Sequence, residues 1–104
     1  QDLEYWGGSN PAFDRRILEG AFERVRVPWF AGHRNVDTCS MAAPLVAAGL
    51  VKSASLSSLV TFFDPAREQK HTALQDCFDA IFVFEKMLEL YCTGGLAQIL
   101  EAAA

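Results

Sequence analysis

The sequence predicts an α/β domain that is rich in helix and poor in strand, and three observations carry that expectation. Segments whose apolar residues recur every three or four positions occupy most of the chain. Only two short stretches, Leu3-Glu4-Tyr5-Trp6 and Val36-Asp37, have strand character. The 104 residues, 51% of them hydrophobic and with a formal net charge of −4, suit one globular domain over residues 1–104 and exclude a disordered or collagen-like chain.

Leu3-Glu4-Tyr5-Trp6 reads as a strand that Gly7-Gly8 ends in a tight loop. Ser9-Asn10-Pro11 is a helix-start signal, and Phe13, Ile17, Ala21, Phe22 and Val25 predict a helix with one buried stripe running to about Arg26, before Pro28. Val27 to Asn35 reads as a loop. Asp37 or Thr38 is the natural cap of an Ala-rich helix over Met41 to Leu50, ending near Gly49 despite Pro44. Ser55 caps a short helix with Leu56, Leu59, Val60 and Phe63 on its apolar side, closed by Asp64-Pro65. A polar loop, Ala66 to Lys70, delivers His71. Leu74, Cys77, Phe78, Ile81, Phe84, Leu88 and Tyr91 trace a helical stripe and predict the longest helix, with Gly94-Gly95 in the C-cap position. A short helix follows from Leu96 to Ala104.

Composition narrows the function. Cys39, Cys77 and Cys92 form an odd set without C-x-x-C spacing, which argues against a disulfide framework or structural zinc and for a reducing compartment. Neither a signal peptide nor an apolar run of about 18 residues is visible, so no membrane is expected and the localisation reads as cytoplasmic, or at least intracellular. A first residue of Gln in place of Met reads as a chain that begins inside a longer one. A pI near 5.0 lacks the basic footprint of an extended duplex binder. Five of the nine basic residues, Arg15, Arg16, Arg24, Arg26 and Arg34, cluster between positions 15 and 34, where a solvated helix face is the plainer reading than a phosphate-binding arm.

Two constellations offer chemistry. His71-Thr72-Ala73-Leu74-Gln75-Asp76 sets an imidazole at a helix start and a carboxylate about one turn inside, beside the small residues Ala73 and Ala80. Asn10-Pro11-Ala12-Phe13-Asp14 sets a carboxylate at another helix start, where the helix dipole alone would favour it. Taken singly, each is ordinary. Their order and separation, with Val36-Asp37-Thr38 between them, are not.

On these residues the chain resembles the DnaQ-like 3′-to-5′ exonucleases of the DEDDh type, in the ribonuclease H-like superfamily. Asn10-x-x-Phe13-Asp14 looks like the family's second exonuclease motif, and His71-x-Ala73-Leu74-x-Asp76 looks like its third. Val36-Asp37-Thr38 is similar to a strand-to-helix step of many members, and Ser55-Leu56-x-x-Leu59 to the short helix before the third motif. The resemblance spans about residues 3 to 91 and implies a ribonuclease H-like exonuclease fold, of which this chain is the C-terminal part. The family's first motif, Asp-x-Glu on the first strand, has no convincing counterpart. Asp2-Leu3-Glu4 has the letters, but nine residues before Asp14 leave no room for the intervening hairpin, so the first motif lies upstream or is lost.

The resemblance also implies an activity. Two divalent ions, Mg²⁺ or Mn²⁺ by the hardness of oxygen ligands, would support in-line hydrolysis of the terminal phosphodiester of single-stranded DNA or RNA at its 3′ end, releasing nucleoside 5′-monophosphates. Asp14 and Asp76 would be metal ligands and His71 the general base, imidazole being the side chain whose charge changes nearest neutral pH. Phe13 is read as core rather than base-stacking, and Cys77 as a small buried hydrophobe. His33 is read as an exposed loop residue and Asp37 as a turn or cap residue, both outside the site. A sheet short of strands would leave an open edge and an uncovered helix face, so self-association as a homodimer is expected. The competing function is a non-catalytic, helix-rich interaction or structural module in which Asp14, His71 and Asp76 are ordinary polar residues.

Overall fold

The computed structural model describes residues 3–103. The chain is mixed α/β and mostly helical: β1 (Leu3–Gly8), α1 (Pro11–Arg24), β2 (Ala31–Asp37), α2 (Thr38–Met41), α3 (Ala43–Ala47), α4 (Leu56–Phe63), α5 (Ala73–Cys92) and α6 (Gly95–Ala103). These elements form two compact units, one closing at Asp37 and the other opening at Thr38. Asp2 of the Asp2-x-Glu4 pair lies outside the described residues.

The first unit is a βαβ element. β1 and β2 are parallel, with Tyr5 opposite Arg34, Trp6 opposite Asn35, Gly7 opposite Val36 and Gly8 opposite Asp37. The expected loop from Val27 is therefore shorter, and His33 lies in a strand. Ala-Gly-His-Arg-Asn has no alternating apolar pattern to announce that strand; its backbone is extended because β1 offers it a ladder of hydrogen-bonding groups. A Cβ on Gly7 would stand 3.2 Å from the Val36 carbonyl oxygen, so glycine permits the close approach of the strands there.

Aromatic side chains hold this unit together. Trp6 meets Trp29 and Phe30 edge-on at 5.4 and 5.8 Å, and Phe22 of α1 meets Trp29 at 5.3 Å. The Trp6 indole N–H donates to the Pro11 carbonyl at 3.0 Å. Arg15 does not follow the solvated-face expectation: it pairs with Glu19, donates from Nη1 to the Gly32 carbonyl at 2.6 Å, and lies 5.5 Å from the Trp29 ring. The stripe expected to be buried on α1 is mostly open, with Phe13, Ile17 and Val25 exposed. Phe13 is thus not core. Of the expected stripe only Ala21 and Phe22 are half-buried, and the one fully buried residue of α1 is its entry residue Pro11.

The second unit has its own apolar core of Ala42, Leu45, Val51, Leu59, Val60, Val83 and Met87. Burying each of the Val, Leu and Met side chains contributes roughly 1.5–3 kcal/mol. Pro44 divides the expected Ala-rich helix. A mid-helix proline removes a backbone donor and clashes with the preceding turn, so the chain forms α2 from Thr38, pauses at Ala42, and restarts as α3 with Pro44 in its first turn. Ser55 caps α4 as expected, its Oγ accepting from the Ser58 N–H at 3.2 Å. α5 ends at the Thr93 C-cap, followed by Gly94 with φ 74°, the left-handed conformation that glycine adopts without penalty. The Tyr91 hydroxyl donates to the Met41 carbonyl, tying the end of α5 to α2.

The face that α5 buries differs from the expected stripe. Asp79, Ala80, Val83 and Met87 face the core, whereas Leu74, Cys77, Phe78, Ile81 and Leu88 are exposed. Cys77 is therefore not a buried hydrophobe. The helix has apolar residues on two sides, and the smaller ones fit against Leu59 and Val60 of α4.

Candidate functional site

Asp14 stands in the first turn of α1, exposed, in the first unit. Its helix begins at the carboxyl end of both parallel strands, the side of an open α/β sheet where ligands gather. Asn10, the N-cap, is held in the left-handed region at φ 54°, and its backbone N–H donates to Asp37 Oδ1 at 3.0 Å. Asp37 is therefore more than a turn or cap residue: from the end of β2 it fixes the loop from which α1 starts. Sequence reasoning set it aside, although its place at a strand end beside a helix start was the available signal.

His71 and Asp76 lie together at the N-terminal end of α5, in the second unit. His71 is exposed and left-handed at φ 56°. The next residue, Thr72, caps the helix through its Oγ1, which accepts from the Gln75 N–H at 3.2 Å. The Asp76 N–H donates to the Thr72 carbonyl at 2.8 Å, and the Asp76 side chain is half-buried on the first turn. Asn10 and His71 are two of the three non-glycine residues with positive φ among those described; the third is Arg26. Asn and His tolerate this region better than most residues, and backbone held there clusters at functional sites.

The loop that delivers His71 is pinned at several points. Asp64 Oδ1 accepts from the Ala66 N–H at 3.1 Å, and Gln69 Nε2 donates to the Ser57 carbonyl and Thr61 Oγ1 of α4 at 3.5 and 3.4 Å. Arg67 reaches back to α5, where Nε donates to Asp79 Oδ1 at 2.9 Å and the guanidinium lies 4.1 Å from the Phe82 ring centroid. Gln75 Nε2 donates to the same Asp79 oxygen at 3.0 Å. Asp79 is buried, and neither it nor Arg67 was singled out from the sequence. An acid inside an apolar helix face, with a lone Arg in the preceding loop, was the signal.

The acidic residues thus divide by use. Asp37, Asp64 and Asp79 accept hydrogen bonds from the protein, whereas the Asp14 and Asp76 carboxylates bond to no other described residue. Two carboxylates in helix first turns suit a hard divalent ion, which is commonly held by one or two carboxylates together with water and substrate phosphate oxygens. Among the described residues, no group of three or more His, Cys, Asp or Glu could hold a metal ion. No helix of the described residues is long and apolar enough to cross a membrane. Comparison with protein-family models, curated proteins and solved structures finds no match.

Proposed function

We propose that the chain carries the second and third acidic motifs of a 3′-to-5′ exonuclease of the DEDDh type on a ribonuclease H-like fold, acting on the 3′ end of single-stranded DNA or RNA. One structural observation supports this most. Both motif carboxylates, Asp14 and Asp76, stand in the first turn of a helix entered through a left-handed motif residue, Asn10 or His71, and neither is bonded to the protein. The parallel βαβ unit, with Asp14 at the carboxyl end of its strands, is the kind of element this fold requires.

On this reading Asp14 and Asp76 would be the carboxylates that hold Mg²⁺ or Mn²⁺. The ions would supply activation of a water and stabilisation of the leaving 3′ oxygen. His71 would accept the proton of the attacking water, and its exposed position leaves the imidazole open to substrate and solvent. The pinned loop from Asp64 to Thr72 limits the ordering that His71 requires on binding. Phe13, exposed at the same helix end as Asp14, is available to stack on the terminal base. The alternative of a helix-rich interaction module is favoured by one observation, the exposed apolar stripe of α5.

The test is hydrolysis by the full gene product that contains this chain, with Mg²⁺, on single-stranded DNA and short RNA. Release of nucleoside 5′-monophosphates from the 3′ end is expected, and His71→Ala should lower kcat by about 10²–10⁴-fold. Asp76→Ala should lower it at least as far. Equal activity of wild type and Asp76→Ala, or no hydrolysis by the wild type, would overturn the proposal.

A further inference from the structure

The start of α1 is not held by a cap of its own. An N-cap residue ordinarily has extended backbone and bonds its side chain to the first turn, whereas Asn10 is left-handed at φ 54° and ψ 56° and makes no side-chain cap hydrogen bond. Its conformation is fixed instead by two backbone bonds. The Asn10 N–H donates to Asp37 Oδ1 at 3.0 Å, and the Asn10 carbonyl accepts from the Phe13 N–H at 3.3 Å. These bonds lie on either side of the Asn10 Cα, so together they restrict the two dihedral angles that set the direction in which α1 leaves the strand.

The strand pairing delivers the acceptor. Gly8 stands opposite Asp37 in the parallel ladder, which brings the carboxylate from the end of β2 to a backbone N–H two residues beyond the end of β1. Trp6 of β1 adds a second tie to the same turn, its indole N–H donating to the Pro11 carbonyl at 3.0 Å. Asp14 follows about one helical turn after Asn10. Its carboxylate bonds to no other described residue, so its place is set by the backbone that carries it.

We propose that Asp37 is a positioning residue for Asp14, acting through the Asn10 N–H, and that it contributes a hydrogen-bond acceptor and not a charge. The inference rests on the nuclease reading, in which Asp14 would hold the ions. In the full gene product that contains this chain, assayed with Mg²⁺ on single-stranded DNA and short RNA, Asp37→Ala should lower kcat by about 10–10²-fold with KM little changed, as a small misplacement of a reacting group does. Asp37→Asn keeps an oxygen that accepts and should restore most of the rate. Because the effect runs through Asp14, Asp37→Ala should lower hydrolysis no further in an Asp14→Ala background. Amide hydrogen exchange gives a readout apart from catalysis: exchange at Asn10 should speed up in Asp37→Ala and not in Asp37→Asn, while the middle of α1 and α5 keep the protection of the wild type. An active wild type matched by Asp37→Ala, an Asp37→Asn as impaired as Asp37→Ala, or a further loss in the Asp14→Ala background would overturn this inference and leave the nuclease reading standing. A wild type that hydrolyses neither substrate would overturn that reading and this inference with it.

Discussion

Asp79 is a carboxylate removed from water, its charge balanced by the Arg67 guanidinium and its oxygen also hydrogen-bonded by the Gln75 amide. The Asp79 side chain is 2% exposed and that of Arg67 is 28% exposed, so deleting the arginine strands the more deeply buried partner. Arg67→Leu should destabilise the chain by about 3 kcal/mol, the lower end for breaking a buried pair because Arg67 is partly solvated; urea denaturation measures it. Arg67→Lys should restore part of that loss, since a lysine keeps the charge but not the planar contact with Phe82. Tyr91 gives a second test. Burial raises its pKa above 10.0. Below pH 10 the hydroxyl is protonated in both folded and unfolded chains, and its contribution is fully present. As pH rises further the unfolded chain ionises first, so stability falls through the folded value. The urea midpoint of wild type should therefore drop more steeply than that of Tyr91→Phe above about pH 10. Each of Asp79 and Asp37 carries a local signal in the sequence, but its role does not follow from that signal, because the partners Arg67 and Asn10 lie 12 and 27 positions away.

Helices α4 and α5 were legible because caps and periodicity are local: Ser55 marks the start of α4, and the recurrence from Leu74 to Tyr91 with Gly94 after it marks α5. The buried face of α5 was not legible, because apolar residues occupy two sides and only packing against Leu59 and Val60 selects between them. Met87 and Leu88, adjacent in sequence, separate the two faces. Met87→Ala should cost about 2–5 kcal/mol, whereas Leu88→Ala should change the stability of the monomer by no more than about 0.5 kcal/mol. Equal losses in a denaturation series of dilute protein would contradict the assignment of faces. β2 was legible only at Val36-Asp37, since parallel pairing with β1 extends a segment that has no strand pattern of its own. The break between α2 and α3 follows from Pro44, which sequence reasoning noted but carried inside one helix.

The chain as a whole joins a parallel βαβ unit to a helical unit, and each brings one helix start with an unbonded acid. The order and spacing of Asp14, His71 and Asp76 were legible as motifs. What surrounds them was not, because the Asp37 contact with Asn10 and the Arg67 anchor are tertiary. The functional proposal requires Asp14 and Asp76 to serve the same ions. Such sharing makes mutational effects non-additive: in the full gene product, Asp14→Ala combined with Asp76→Ala should lower hydrolysis little more than Asp76→Ala alone. The most direct measurement is a Mn²⁺ titration followed by amide resonances. The amides of residues 14 and 76 should broaden together at the same substoichiometric Mn²⁺, and Asp76→Ala should abolish the broadening at both. Broadening at only one of them, or at residue 14 undiminished by Asp76→Ala, would contradict a shared metal site.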